Sequence, residues 1–270
     1  MDARPVGVFD SGVGGLTVLR ALRVALPGES FVYLGDTARL PYGTKSAHTV
    51  TRYALQAADA LVARGIKCLV VACNTASAAA LEAMRQRYGE LPVIGVIEPG
   101  AAAAVQATRT GRIAVLATDG TIRGGAYARA IARLAPLAQV TGVACGLFVA
   151  VAEEGWEQGA VAEAAAERYL APLRDGSTPP DTLVLGCTHF PVLRPVIART
   201  MGSTVRIVDS AATTAEAVRQ ELLARALLAP PGKPASLHCL ATDGPERFAS
   251  IGSRFLGAPL AAAAIELVDL

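Results

Sequence analysis

Two of the five cysteines, Cys73 and Cys187, stand in matching surroundings. KCLVVACNTAS and PDTLVLGCTHF share one layout: an apolar run, a small residue, the cysteine, then hydroxyl-bearing or polar residues ahead of a helical segment. A thiol at a strand end before a helix sits near backbone N–H groups that favour negative charge, which lowers its pKa or binds an anionic ligand. Two such thiols, one from each half, are the equipment for stereoinversion at a carbon acid. One base removes the proton from one face and the other acid returns a proton to the opposite face. Cysteine suits this because its reference pKa, roughly 8.5, can be tuned either way. Taken alone, Cys73 is better read as a buried core thiol; its pairing with Cys187 reverses that reading. Cys68, Cys145 and Cys239 read as buried and inert.

The remaining polar groups with chemical potential cluster at four predicted strand ends: Asp10-Ser11-Gly12, Cys73-Asn74-Thr75, Thr118 to Thr121, and Cys187-Thr188-His189. Ligands of open parallel sheets bind at these ends. The stretch DSGVGGLT lacks the Gly-Lys-Ser/Thr of a phosphate loop and the full dinucleotide fingerprint, so its glycines are expected to let backbone approach a small ligand, or simply to turn strand into helix. A carboxylate near a thiol raises its pKa and an imidazolium lowers it, so an acidic neighbour at one cysteine and His189, two residues after Cys187, at the other would make the two thiols unequal. Asp36 either orients the Pro41-Tyr42-Gly43 loop or caps a turn. Glu153-Glu154 is either functional or a solvated helix start.

Elements that would hold these residues alternate along the chain. Strands are expected at 6–10, 31–36, 68–74, 92–97, 112–118, around VTGVAC, at 182–187 and 205–209, with a late one in PASLHCLATD. Helices are expected at 16–25, 48–64, 76–88, after Glu98, at 124–134, 160–173, 192–201 and about 213–228, followed by a weak tail. Near-continuous apolar strands between helices predict parallel sheets covered on both faces. The expected fold is α/β, two pseudo-symmetric three-layer domains with mainly parallel sheets facing across a cleft. Residues 1–97 plus 208–270 would form one domain and 98–207 the other.

Composition narrows the class. The net charge of +2 and the lack of a basic cluster leave no nucleic-acid footprint. The odd, widely spaced cysteines without a CxxC pair argue against a disulfide framework or a zinc site and for reduced thiols in a cytoplasm. The amino-terminal residues lack a secretory apolar run, and the longest uncharged stretch, 134–152, is broken by Pro136 and glycines, so no membrane span is expected.

FDSGVGGLTVLRAL, YLGDTARLPYGTKS, VVACNTASA, GVIEPG, and LGCTHFPVL followed by IVDS resemble the glutamate racemases of the aspartate/glutamate racemase superfamily. The segments run in family order over most of the first 215 residues; the last 50 match weakly. The resemblance implies Cys73 and Cys187 as the two acid/bases, with Asp10 and His189 tuning them. It implies Ser11, Asn74, Thr75 and Thr188 on the α-carboxylate and amine, Asp10 and His189 bordering the same pocket, Pro41, Tyr42 and Gly43 on the side-chain carboxylate, and Thr118 and Thr121 completing the pocket. Glu153, with Glu154 as alternative, matches an acidic residue on the His189 side. His189 after Cys-Thr points to glutamate rather than aspartate. Phe190 stands where the family often has Tyr. The resemblance further implies a cofactor-free isomerase with no metal, a cytoplasmic homodimer that supplies D-glutamate for peptidoglycan. Rival readings are another racemase of the superfamily, an amino-acid binding protein without turnover, and a thiol hydrolase using Cys187 and His189.

Overall fold

The computed structural model describes residues 1–232 and 234–270. Among the described residues ten strands are formed: β1 (Val6–Asp10), β2 (Phe31–Gly35), β3 (Cys68–Val71), β4 (Val93–Gly95), β5 (Arg112–Ala117), β6 (Gln139–Ala144), β7 (Thr182–Gly186), β8 (Arg206–Asp209), β9 (Leu237–Ala241) and β10 (Ile265–Leu267). They make two sheets, ordered β10-β9-β2-β1-β3-β4 and β6-β5-β7-β8, and every pairing is parallel. The inner strands β2-β1-β3-β4 and the whole second sheet β6-β5-β7-β8 follow the same second-first-third-fourth order, which is the pseudo-symmetry expected from the cysteine segments. Strands β1, β2 and β7 are buried at every position, as their unbroken apolar runs require. The edge strand β6 is mostly exposed and carries Gln139 and Thr141.

Helix ends follow local chemistry. Helix Ala47–Val62 opens on Ser46, whose hydroxyl accepts from the Thr49 N–H at 3.2 Å, and the chain turns away at Gly65 with φ +69°. Helix Ser210–Ala224 begins three residues before the expected Thr213, because the Asp209 carboxylate accepts from the Ala211 N–H at 2.8 Å. The expected helix 124–134 runs over Ala126–Leu134, and a further short helix, Asp119–Gly124, precedes it across left-handed Gly125. The weak tail is a folded part of the first sheet: β9 pairs with β2, helix Pro245–Leu256 buries Phe248, Ile251 and Phe255, and β10 closes the edge. Pairing of β8 with β7 puts the expected boundary between 207 and 208 inside a strand of the second sheet.

At the amino-terminal ends of β2 and β3, away from the cleft, Lys67 and Glu29 form a buried ion pair at 2.5 Å. Lys67 also donates to the Asp2 carbonyl at 2.8 Å, and Glu29 accepts from the Ala229 N–H at 2.7 Å. Such a pair ties distant chain segments together, and its stability rests on keeping both partners. Among the described residues no helix is long and apolar enough to cross a membrane.

Candidate active site

The carboxyl ends of β1, β3, β5 and β7 converge on one cavity of about 340 Å³. Parallel pairing sets Phe9 of β1 against Val71 of β3 and Ala117 of β5 against Gly186 of β7. The residues that follow those strands therefore emerge side by side. Ser11, Cys73, Asn74, Thr75, Thr118, Cys187, Thr188 and His189 all line the cavity, with Pro41, Tyr42 and Gly43 along another wall.

Cys73 is the N-cap of helix Asn74–Tyr88. Its sulfur accepts from the Ala76 N–H at 3.4 Å and lies 3.4 Å from Ser11 Oγ. The Ala76 N–H and the hydrogen bond shared with Ser11 favour the thiolate, yet burial and the nearby Asp10 charge push the thiol up to about 12. The helix start alone therefore does not lower this pKa as the sequence suggested; desolvation of a buried thiolate outweighs two hydrogen bonds. Cys73 is held as a thiol, the form of an acid.

The second thiol has a different neighbour. Cys187 Sγ lies 3.8 Å from His189 Nδ1, and His189 Nε2 meets Glu153 Oε1 at 3.1 Å. Burial on its own would lower the imidazole pKa, but the contacts with Cys187 and Glu153 raise it to about 10. The ring is thus cationic at neutral pH. The His189 bond in turn holds the Glu153 carboxyl below its ordinary value, against the opposing effect of burial. Arg247, from helix Pro245–Leu256, reaches the other Glu153 oxygen at 3.0 Å. Glu154, the alternative acid, is exposed.

Asp10 and Thr121 do not touch the cavity space, contrary to their expected place on the substrate. Asp10 is wholly buried behind the wall, where it accepts from the Gly12 N–H at 2.9 Å and from the Thr188 hydroxyl at 3.4 Å. Burial raises its pKa, and the His189 charge opposes that rise. It acts through neighbours: its charge raises Cys73 and its carboxylate fixes Thr188. Thr121 is one corner of a triangle with Thr75 and Thr118, with oxygens 2.8 to 3.1 Å apart, that links the two sheets.

The glycine-rich turn serves two partners. Gly12 lines the cavity, but Gly14 faces Thr188 and His189, and Gly15 faces Asp10. A Cβ on Gly14 would stand 2.5 Å from the His189 ring. The Tyr42 hydroxyl donates to Asp36, which also accepts from Arg39 Nε at 2.7 Å and Thr242 Oγ1 at 3.0 Å. Asp36 therefore orients the cavity loop, the functional half of its two readings.

Sequence reasoning missed one wall, formed by Gly146, Val149 and Ala150 of helix Gly146–Glu153. The signal existed: these positions and Glu153 recur at helical spacing on one face. It also missed Leu40 and Thr44, which line the cavity, and Arg247, which no local pattern marks; Asp119, inside the expected 118–121 segment, lines it too. Cys68, Cys145 and Cys239 are buried, and all five cysteines are free. Among the described residues no cluster of three or more His, Cys, Asp or Glu side chains is arranged to hold a metal ion.

Fold and site together define a two-sheet α/β protein that presents two thiols, their charged partners and a set of hydrogen-bond donors to one small-molecule cavity. Residues 16–218 match the sequence profile of the family described as Asp/Glu/Hydantoin racemase. A glutamate racemase of Geobacter metallireducens is 53% identical over 260 residues, covering 96% of this chain and 95% of that protein. One from Neisseria meningitidis serogroup A is 46% identical over 99% of this chain and 97% of that protein. The crystal structure of the Francisella tularensis glutamate racemase in complex with D-glutamate superposes with a TM-score of 0.92 at 36% identity, covering 100% of this chain and 98% of that one. The chain belongs to the Asp/Glu/hydantoin racemase family, a family of isomerases.

Proposed function

We propose that the chain interconverts L- and D-glutamate by a cofactor-independent two-base reaction, with Cys73 and Cys187 as the bases. One observation carries the reading: the two thiols follow the topologically equivalent strands β3 and β7 of two sheets and line a single cavity. One thiolate takes the Cα proton, the electron pair left behind is shared with the α-carboxylate, and the opposing thiol delivers its proton to the other face. The two sulfurs then hold exchanged protonation states. Cys73 enters as the thiol, given its raised pKa. The cationic His189 ring is the counter-ion that a thiolate at Cys187 requires. The hard step is forming negative charge at Cα. Preorganised donors on the α-carboxylate and exclusion of water supply its stabilisation.

Ser11, Asn74, Thr75 and Thr188 supply donors for the α-carboxylate end, and the Pro41-Tyr42-Gly43 loop receives the side-chain carboxylate. Glutamate is favoured as substrate by the identity to glutamate racemases and by a structural neighbour crystallised with D-glutamate. Residues 1–97 with 210–270 form one lobe in this reading and 98–209 the other. The physiological role proposed is supply of D-glutamate for peptidoglycan, by a cytoplasmic homodimer.

The test is racemisation of each enantiomer followed by circular dichroism, with Cα exchange in D2O. Cys73→Ala and Cys187→Ala are each expected to lose racemisation by several orders of magnitude. Full turnover in either variant would defeat the two-base assignment. A hydrolase using Cys187 and His189 would be untouched by Cys73→Ala, and a binding protein would exchange no deuterium.

A further inference from the structure

Asn74 presents an unbalanced amide. It sits beside Cys73, is 3% exposed, and lines the cavity. Its Oδ1 accepts from the Tyr127 hydroxyl at 2.8 Å, whereas its Nδ2 has no protein partner. A buried donor left unmade is costly, so this N–H group is built for something that enters the cavity. Tyr127 comes from the other sheet's side, in helix Ala126–Leu134, and is itself 3% exposed.

Two glycines make room for Tyr127. A Cβ on Gly186, the residue before Cys187, would stand 3.0 Å from its ring, and one on Gly100 would stand 3.2 Å from its hydroxyl. The ring thus packs against the Cys187 half of the site while its hydroxyl holds a side chain of the Cys73 half. Burial pushes the phenol pKa above its ordinary value, with the Cys187 charge adding to the rise, so the hydroxyl remains a donor.

We propose that Tyr127 is a positioning residue that, by donating to Asn74 Oδ1, aims the Asn74 amide N–H at the α-carboxylate of the bound amino acid. The proposal rests on the racemase reading above. An amide NH2 only donates, so it takes a carboxylate oxygen and not the ammonium group. Asn74 adjoins Cys73, whose sulfur must reach Cα, so the carboxylate within reach is the one on Cα. Charge grows on that carboxylate as the proton leaves, and a donor fixed beforehand strengthens where the charge develops. Without Tyr127 the amide is free to rotate about its terminal torsion and to turn its carbonyl towards the substrate.

Tyr127→Phe removes one oxygen and keeps the ring. It is expected to lower kcat/KM about tenfold, equally for both enantiomers, because they are equal in free energy and their equilibrium constant is one. Asn74→Ala should lose at least as much. The decisive readout is the double variant: if Tyr127 acts through Asn74, Tyr127→Phe adds no further loss in the Asn74→Ala background. Losses that multiply, or a Tyr127→Phe variant at wild-type efficiency, overturn the proposal. The unmutated chain gives a second test, since its Asn74 side-chain amide signals must shift in NMR spectra when D-glutamate is added; unmoved signals also overturn it. Absence of any racemisation by the wild-type chain would instead refute the racemase reading itself.

Discussion

Replacing Gly14 by alanine tests whether the cleft is held together by close contact between the glycine-rich turn and the Cys187 half-site. Gly14 is not at positive φ, so alanine meets no backbone strain there. Its new methyl would stand within 2.5 Å of Thr188 Oγ1 and of His189 Cε1 and Nδ1, where ordinary contact begins at 3.4 Å. The Thr188 hydroxyl and the His189 ring must therefore retreat by about 1 Å, or the lobes must part by as much, and a misplacement of this size costs about 10²-fold in rate. His189 has little freedom to yield. Glu153 holds one nitrogen at 3.1 Å, and the Phe255 ring lies edge-on with centroids 5.4 Å apart. The 3.8 Å approach to Cys187 is the contact most exposed to the shift. The expected result is a fall of about 10² in kcat/KM for both enantiomers. Overpacking of about 1–3 kcal/mol is partly offset by the stiffer unfolded chain, so the melting temperature should drop by only a few degrees. Gly28→Ala, with nothing within 4 Å of the added carbon, is the matched control and should behave as wild type. Gly14→Ala within twofold of wild-type kcat/KM would show that the contact has no functional role.

The His189 ring supplies a pH prediction. Its pKa is raised from 6.5 to about 10, so its stabilising contacts are complete below 6.5 and are lost as the pH rises through about 10. Racemisation should fall along an alkaline limb in that window, and Glu153→Gln should move the limb to lower pH by removing one of the groups that hold the proton. A limb unmoved in the kcat/KM profile would separate Glu153 from the ring's charge. Lys67→Met leaves Glu29 buried without its partner, at a cost of about 3–5 kcal/mol, or roughly 10 °C in melting temperature. Because the pair sits at the opposite strand ends from the cleft, kcat/KM of the folded variant should stay within twofold; a melt unchanged from wild type would refute the ion-pair argument.

The local part of this protein was legible in its residues. Unbroken apolar runs around Val8, Val70 and Val184 specify buried parallel strands, since side chains on both faces must be covered. Position at a strand's carboxyl end then puts Cys73 and Asn74 on the ligand-binding edge of one sheet and Cys187 and His189 on that of the other. The matching surroundings of the two cysteines likewise announced two related halves, and the structure gives both the same second-first-third-fourth strand order.

Tertiary structure decided whatever depends on groups far apart in the chain. That Asp10 lies behind the wall follows from complete burial, which no motif encodes. That Cys73 is raised to about 12 follows from desolvation outweighing two hydrogen bonds. Arg247 reaching Glu153 and Tyr127 reaching Asn74 depend on how helices from different parts of the chain pack. Helix Pro245–Leu256 looked like a weak tail because its meaning lies in covering the first sheet. Gly14 looked like a turn glycine, whereas the room it leaves is taken by His189, 175 positions away in the chain. Sequence determined which groups stand at the strand ends, because backbone periodicity is local; packing between the lobes decided which of them meet and in what charge state, because burial and contact are properties of the whole fold.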